Sequence, residues 1–159
     1  MHLKIDEQKR LGIILDADDD LFRCWQQVKG ILEQSGYLSV PHEPVPEGTI
    51  LEEDGRPIVG IWLMPDNRLP GKIEDFVSYL IRSDDPLWSI ADDILQKVIE
   101  VDCRFRAAYT IKARLHTWLA WQKIPGKPMG LAITARYVDA SNLHAQQLIS
   151  WVRRVFDLA

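Results

Sequence analysis

Two short aliphatic runs stand among longer stretches in which apolar residues recur every three or four positions. The first run, residues 11–15, predicts a buried β-strand, because a short apolar run is typical of a strand with both faces covered. In residues 21–35, Leu21, Trp25, Val28 and Leu32 follow helical spacing and predict an amphipathic helix, which Gly36 ends. We therefore expect a strand followed directly by a helix.

The second aliphatic run, residues 58–64, predicts another core strand. Residues 49–51 and 57–64 flank a polar turn and predict a hairpin or a paired edge, after an extended proline-rich loop over residues 40–48. A helix should follow Pro70 and Gly71, and helical spacing predicts three more helices over residues 87–101, 107–123 and 141–156. The class is α/β, with a mainly helical carboxyl-terminal half.

The first strand is followed by a run of carboxylates. Asp16 and Asp18 are two residues apart, so extended geometry would point their side chains to the same side. Carboxylate oxygens are the ligands that Mg²⁺ and Mn²⁺ prefer, so this segment predicts a metal site. The alternative is an acidic turn exposed to solvent.

Acidic side chains also follow the second strand. In open α/β sheets, ligands bind beyond the carboxyl ends of the strands, so Asp66 and Glu74 are candidates for the same metal shell. Alternatively, Asp66 is a turn residue and Glu74 a carboxylate that complements the dipole in the first turn of a helix. On the predicted helix over residues 107–123, Lys112 and His116 are one turn apart and are the candidate catalytic residues.

The residues that follow Asp16 can be compared with two known acidic motifs. An EF-hand beginning at Asp16 needs Gly and Glu where this chain has Leu21 and Gln27. A haloacid-dehalogenase-type phosphatase, with Asp16 as nucleophile, usually has Thr or Val where this chain has Asp20, and stays an alternative. The sequence contains no glycine-rich phosphate loop and no Cys/His cluster.

Size and composition favour a single cytoplasmic domain. The chain has 159 residues, 47% of them hydrophobic, without a secretory signal or a membrane-length apolar run. Cys24 and Cys103 lack metal or redox spacing, so we expect two inert thiols. Residues 1–100 hold 10 Lys/Arg against 20 Asp/Glu, whereas residues 101–159 hold 9 against 3. An acidic half that holds metal and a basic half that binds phosphate would suit nucleic acid as a partner.

Four segments together resemble an uncharacterised bacterial family related to the Toprim domains of OLD-type nucleases. They are LGIILDADDD, GIWLMPDN, GKIEDF, and HTWLAWQ with its following Pro125-Gly126, and the likeness spans nearly the whole chain. It implies a Toprim-like partial sheet, mainly parallel and flanked by helices, in which a glutamate and an Asp-x-Asp hold Mg²⁺ for phosphodiester cleavage. Asp16 and Asp18 match the Asp-x-Asp. The family's earlier segment, a strand ending in Val-Glu-Gly, has no match in residues 1–10, and Glu7 cannot replace it.

The resemblance leaves two interpretations beside the phosphatase. In the first, the chain is a Mg²⁺- or Mn²⁺-dependent phosphodiester hydrolase, or an inactive relative of one, in which Lys112 stabilises charge on the phosphoryl group. In the second, it is a non-catalytic module that binds nucleic acid or protein. A sheet without its first strand and helix exposes an edge, so we also expect a homo-oligomer.

Overall fold

The computed structural model describes residues 9–159, which form three strands and five α-helices. The strands are β1 (Arg10–Asp16), β2 (Thr49–Leu51) and β3 (Ile58–Met64), and the helices are α1 (Leu21–Gln34), α2 (Ile73–Tyr79), α3 (Pro86–Asp102), α4 (Thr110–Ala120) and α5 (Leu143–Phe156). The predicted α/β class and the helical carboxyl-terminal half are confirmed. No helix in residues 9–159 is long and apolar enough to cross a membrane. The prediction about Glu7 lies outside the described residues.

The strands form one mixed sheet in the order β1-β3-β2. β1 pairs with β3 in parallel, with Arg10 opposite Ile58 and Asp16 opposite Met64. β2 pairs with β3 in the antiparallel direction, which confirms the predicted hairpin. The predicted parallel pairing is present between β1 and β3, whereas the six-residue connection between β2 and β3 allows only antiparallel neighbours. The likeness to Toprim domains stays a prediction.

The chain divides into two compact units. Of the described residues, the first unit comprises 9–72 together with 146–159, and the second is 73–145. In the first unit, α1 packs on one face of the sheet, where Trp25, Val28 and Leu32 join a core cluster with the odd-numbered residues of β3. Trp151 of α5 packs against Trp62 on the opposite face. The prediction of one domain stays a prediction.

The predicted burial of the two core strands is right for β3 and wrong for β1. Every residue of β3 is buried. In β1, by contrast, Leu11 is 51% exposed, Ile14 46% and Leu15 38%. Among the described residues, β3 has a strand on each side, whereas β1 has a strand neighbour on one side only. An apolar run in the sequence does not by itself distinguish a strand in the position of β3 from one in the position of β1.

The second unit contains α2, α3 and α4. Leu115 and Trp118 of α4 are fully buried, and the Trp118 ring meets the Trp88 ring edge-on at 6.2 Å. The predicted helix over residues 107–123 is shorter, because a separate 3₁₀ turn covers Ala107–Tyr109 and α4 ends at Ala120. Trp121 follows that end and is 38% exposed.

Candidate functional site

The candidate site lies where β1 and β3 end. Asp16 is opposite Met64 in the parallel register, and the N–H of Ala17 donates to the Met64 carbonyl at 3.3 Å. The residues that follow the two strands therefore begin at the same edge of the sheet. This is the edge at which open α/β sheets bind their ligands.

A cleft of about 610 Å³ opens between the end of β1 and α1. Four aspartates line it together with a guanidinium and a thiol: Asp16, Asp18, Asp19, Asp20, Arg23 and Cys24. Apolar residues from β1 and α1, including Leu15 and Ile31, form the rest of the wall. The cleft thus combines a cluster of carboxylates with an apolar side.

Asp16 and Asp18 reach this cleft by a different geometry from the predicted one. β1 ends at Asp16, Ala17 is buried, and Asp18 has a left-handed backbone with φ of 52°. The N–H of Asp18 donates to the Gly71 carbonyl at 2.9 Å. The argument from an extended strand is therefore wrong at Asp18, although both residues line one cleft. Asp tolerates a left-handed backbone better than most residues do.

The charge of Asp18 is partly balanced by a lysine. Lys72 Nζ lies 3.2 Å from Asp18 Oδ1, and the Lys72 side chain is only 22% exposed. Sequence reasoning missed Lys72, because 54 positions separate the two residues along the chain and no local pattern joins them. A cation bound by Asp18 would have to displace this ammonium group or share the carboxylate with it.

Cys24 also belongs to the cleft. Burial raises the pKa of its thiol, and the negative charges of Asp18 and Asp16 raise it further. The thiol Sγ–H donates weakly to the Asp16 carbonyl at 3.5 Å. At neutral pH the group is therefore a protonated thiol, which is a poor metal ligand because metals bind the thiolate. The expectation of an inert thiol agrees with this environment, whereas Cys103 is exposed at the end of α3.

Two further acidic residues near the strand ends have structural contacts. Asp20 is the N-cap of α1, where its Oδ1 accepts the Arg23 N–H at 2.9 Å. Asp66 Oδ1 accepts the N–H groups of Arg68 at 3.0 Å and Leu69 at 2.9 Å. Asp66 thus closes an Asx turn, in agreement with its alternative interpretation as a turn residue. Its role as a metal ligand stays a prediction.

Glu74, Lys112 and His116 lie in the second unit. Glu74 is buried in the first turn of α2, and its Oε1 is 3.2 Å from Lys112 Nζ on α4. The Lys112 side chain is 54% exposed, and His116 is exposed one turn further along the helix. The structure therefore joins a predicted metal ligand to a predicted catalytic lysine as an ion pair.

The donor set fits only a weakly held metal ion. Among residues 9–159, no group of three or more His, Cys, Asp or Glu side chains is arranged to hold a metal. Mg²⁺ often binds through only one or two carboxylates, keeps several waters and takes further oxygens from a substrate phosphate. Asp16 and Asp18, which line one cleft, could supply the one or two carboxylates that such a site needs.

The division of charge along the sequence does not follow the two units. Residues 73–145 contain nine Lys/Arg and nine Asp/Glu, so the second unit is neutral overall. Within it, residues 103–138 hold seven Lys/Arg and no acidic residue. Part of this basic stretch pairs with the acidic residues 74–102, through Lys112 with Glu74 and Arg114 with Asp92.

Comparison with known proteins assigns the chain to a family but does not indicate an activity. The model of the family described as Protein of unknown function (DUF3226) matches residues 1–157. The chain belongs to this family. Searches of curated proteins and of solved structures found no match. In this DUF3226 chain, the acidic cleft and the residues around it are the candidate functional site.

Proposed function

We propose that the chain is a Toprim-like relative of magnesium-dependent phosphodiester hydrolases that binds Mg²⁺ or Mn²⁺ and phosphate but hydrolyses little or nothing by itself. The observation that carries this proposal is the shared cleft of Asp16 and Asp18 at the carboxyl end of a parallel strand pair. The α/β class and the resemblance in sequence support it. Asp16 and Asp18 are the proposed ligands.

The proposed ligands are well placed for a hydrated ion that meets a phosphate. Both carboxylates are exposed, so a metal could keep its water shell and still contact them. A bound metal in such a site would neutralise phosphate charge and orient it. The apolar side of the cleft, at Leu15 and Ile31, gives a nucleotide base or sugar a surface to pack against.

Two features argue against efficient turnover. No third acidic side chain in the described part of the chain joins Asp16 and Asp18 in a ready-made metal group. Lys72 is within ion-pair distance of Asp18, which reduces the negative charge that would attract a divalent ion. A hydrolase needs its ion held firmly in the transition state, because the rate depends on charge stabilisation at that point.

We therefore expect no cleavage of plasmid or single-stranded DNA above background, even with Mn²⁺. The control is Asp16→Ala, purified in parallel, since a contaminating nuclease would be active in both preparations. Cleavage by the wild-type chain that disappears in Asp16→Ala would contradict the proposal and show that the site is catalytic. Equal residual cleavage in both would be assigned to contamination.

A further inference from the structure

One side of the acidic cleft is formed by α1 and is not used by the proposed metal ligands. Arg23, Gln27 and Ile31 line this side, and all three are exposed. Side chains four residues apart lie one above the other on the same face of an α-helix. A guanidinium, an amide and an aliphatic side chain therefore follow one another along the cleft, in that order from the amino-terminal end of α1.

The dimensions of this face suit a small organic ligand. With a rise of about 1.5 Å per residue, the helix advances by about 12 Å from Arg23 to Ile31. The cleft volume of about 610 Å³ is within the range of about 300–1,000 Å³ that is typical of small-molecule sites. Leu15 also lines the cleft and is 38% exposed, so an apolar group has a surface to contact at the end of β1 as well.

Arg23 differs from the other charged residues of the cleft. Four aspartates line it, and Arg23 is the one basic residue among the described residues that do so. None of the ion pairs within residues 9–159 includes Arg23. Its contact with Asp20 is made by the backbone N–H. The guanidinium can therefore bind a ligand, and its planar set of N–H donors matches two oxygens of a phosphate.

We propose that the cleft binds one nucleotide unit, with a metal-bound phosphate at Arg23 and the base at Gln27 and Ile31. The Gln27 amide can donate to and accept from the edge of a base, and Ile31 offers the base an apolar surface. The inference rests on the proposed function, because four carboxylates repel a phosphate unless a divalent ion at Asp16 and Asp18 offsets them. The unit is a free nucleotide or the end of a strand, which share this chemistry.

Binding of the metal and binding of the nucleotide should be coupled. Linkage requires that each ligand raises the affinity of the other by the same factor, and we expect a factor of at least about ten. Calorimetric titration of adenosine monophosphate with and without Mn²⁺ measures one direction, and titration of Mn²⁺ with and without the nucleotide measures the other. The heat of Mn²⁺ binding to the nucleotide in buffer is subtracted.

Two probes separate the phosphate contact from the base contacts in the presence of Mn²⁺. Adenosine monophosphate carries a base, whereas ribose 5-phosphate carries only the sugar and the phosphate. Arg23→Ala should weaken the binding of both probes by about tenfold or more, because it removes charged hydrogen bonds to the phosphate. The double variant Gln27→Ala, Ile31→Ala should weaken the binding of adenosine monophosphate alone, to the affinity of ribose 5-phosphate.

Two control variants lie outside the cleft. Gln26→Ala replaces an exposed glutamine next to Gln27 on the same helix, and Arg82→Ala removes the same charge as Arg23→Ala from the second unit. Both should bind the two probes as the wild type does, and thermal unfolding of each variant establishes that the protein is folded. An oligoadenylate with a 5′-phosphate identifies the source of the nucleotide. Tighter Arg23-dependent binding of the oligomer indicates a strand end, and tighter binding of the monophosphate a free nucleotide.

The failure of this inference can be told apart from the failure of the proposed function. Mn²⁺ binding that adenosine monophosphate leaves unchanged would overturn the inference and leave the metal site in place. Equal binding of adenosine monophosphate to the wild type, to Arg23→Ala and to the double variant would do the same. A wild-type chain that does not bind Mn²⁺ at all would instead refute the proposed function, and the inference with it.

Discussion

Replacing Trp151 with alanine should lower the free energy of unfolding by about 3–5 kcal/mol, the usual loss for a fully buried tryptophan. The Trp151 side chain is 1% exposed, and its ring centre lies 5.7 Å from that of Trp62 in the central strand. Its indole N–H donates to the Thr49 carbonyl at 3.3 Å. A β-carbon built at Gly60 would come within 3.0 Å of the ring, so no larger residue fits beneath it.

Chemical denaturation followed by far-ultraviolet circular dichroism measures this loss. Trp121→Ala is the control, because Trp121 is 38% exposed and its removal should cost about 1 kcal/mol or less. Equal losses in the two variants would show that α5 does not cover the sheet as described. The comparison matters for function, because α5 packs on the sheet that ends at the acidic cleft.

The second large effect concerns the basic stretch of residues 103–138. We expect weak, sequence-independent binding of single-stranded oligonucleotides through the exposed lysines and arginines of this stretch. If about two phosphates are neutralised, the affinity should fall about sevenfold between about 50 and 200 mM salt, because bound phosphates release counterions. Fluorescence anisotropy with a labelled oligonucleotide measures this dependence.

The ion pair between Lys112 and Glu74 makes this prediction specific. Glu74→Gln removes the competing carboxylate and should strengthen oligonucleotide binding severalfold, whereas Lys112→Ala should weaken it and reduce the salt dependence by about one phosphate contact. Lys97→Ala is the control, because Lys97 lies on α3 among the acidic residues. Binding that responds to Lys97 as strongly as to Lys112 would contradict a role for the basic stretch.

The sequence predicted the elements whose signals are local. The helical spacing of Trp25, Val28 and Leu32 identified α1, and Gly36 ended it in a left-handed conformation. The hairpin of β2 and β3 followed from two apolar segments around a turn. The exposure of β1 could not be predicted in this way, because the order of strands in a sheet depends on pairings between distant parts of the chain.

The same distinction holds for the site. Asp16 and Asp18 were predicted as metal ligands because a run of carboxylates directly after an apolar strand is visible in the sequence, and that role stays a prediction. Lys72, which balances Asp18, was missed because its proximity arises only from folding. The pairing of Glu74 with Lys112 was missed for the same reason. From the sequence, Glu74 was predicted as a metal ligand and Lys112 as a catalytic residue.

The acidic and basic halves of the sequence do not correspond to the two compact units of the structure. Arg153 and Arg154 of α5 belong to the first unit, together with the acidic cleft, whereas the other seven basic residues of residues 101–159 belong to the second unit. The second unit is neutral because its acidic and basic stretches fold together. In the structure, the basic half of the sequence is thus reduced to the shorter basic stretch of residues 103–138, and its binding of phosphate stays a prediction.

Calorimetric titration with Mn²⁺ tests the central claim, that Asp16 and Asp18 form a divalent-metal site. We expect weak binding by the wild-type chain. The double variant Asp16→Asn, Asp18→Asn should bind at least about tenfold more weakly, a loss of about 1.4 kcal/mol or more. Lys72→Met should bind severalfold more tightly, because it frees Asp18 from its ammonium partner. The control is Glu52→Gln, Asp54→Asn, which removes the same charge from the hairpin and should bind as the wild type does. Mn²⁺ binding that is unchanged in Asp16→Asn, Asp18→Asn, or equally reduced in the hairpin control, would contradict the account.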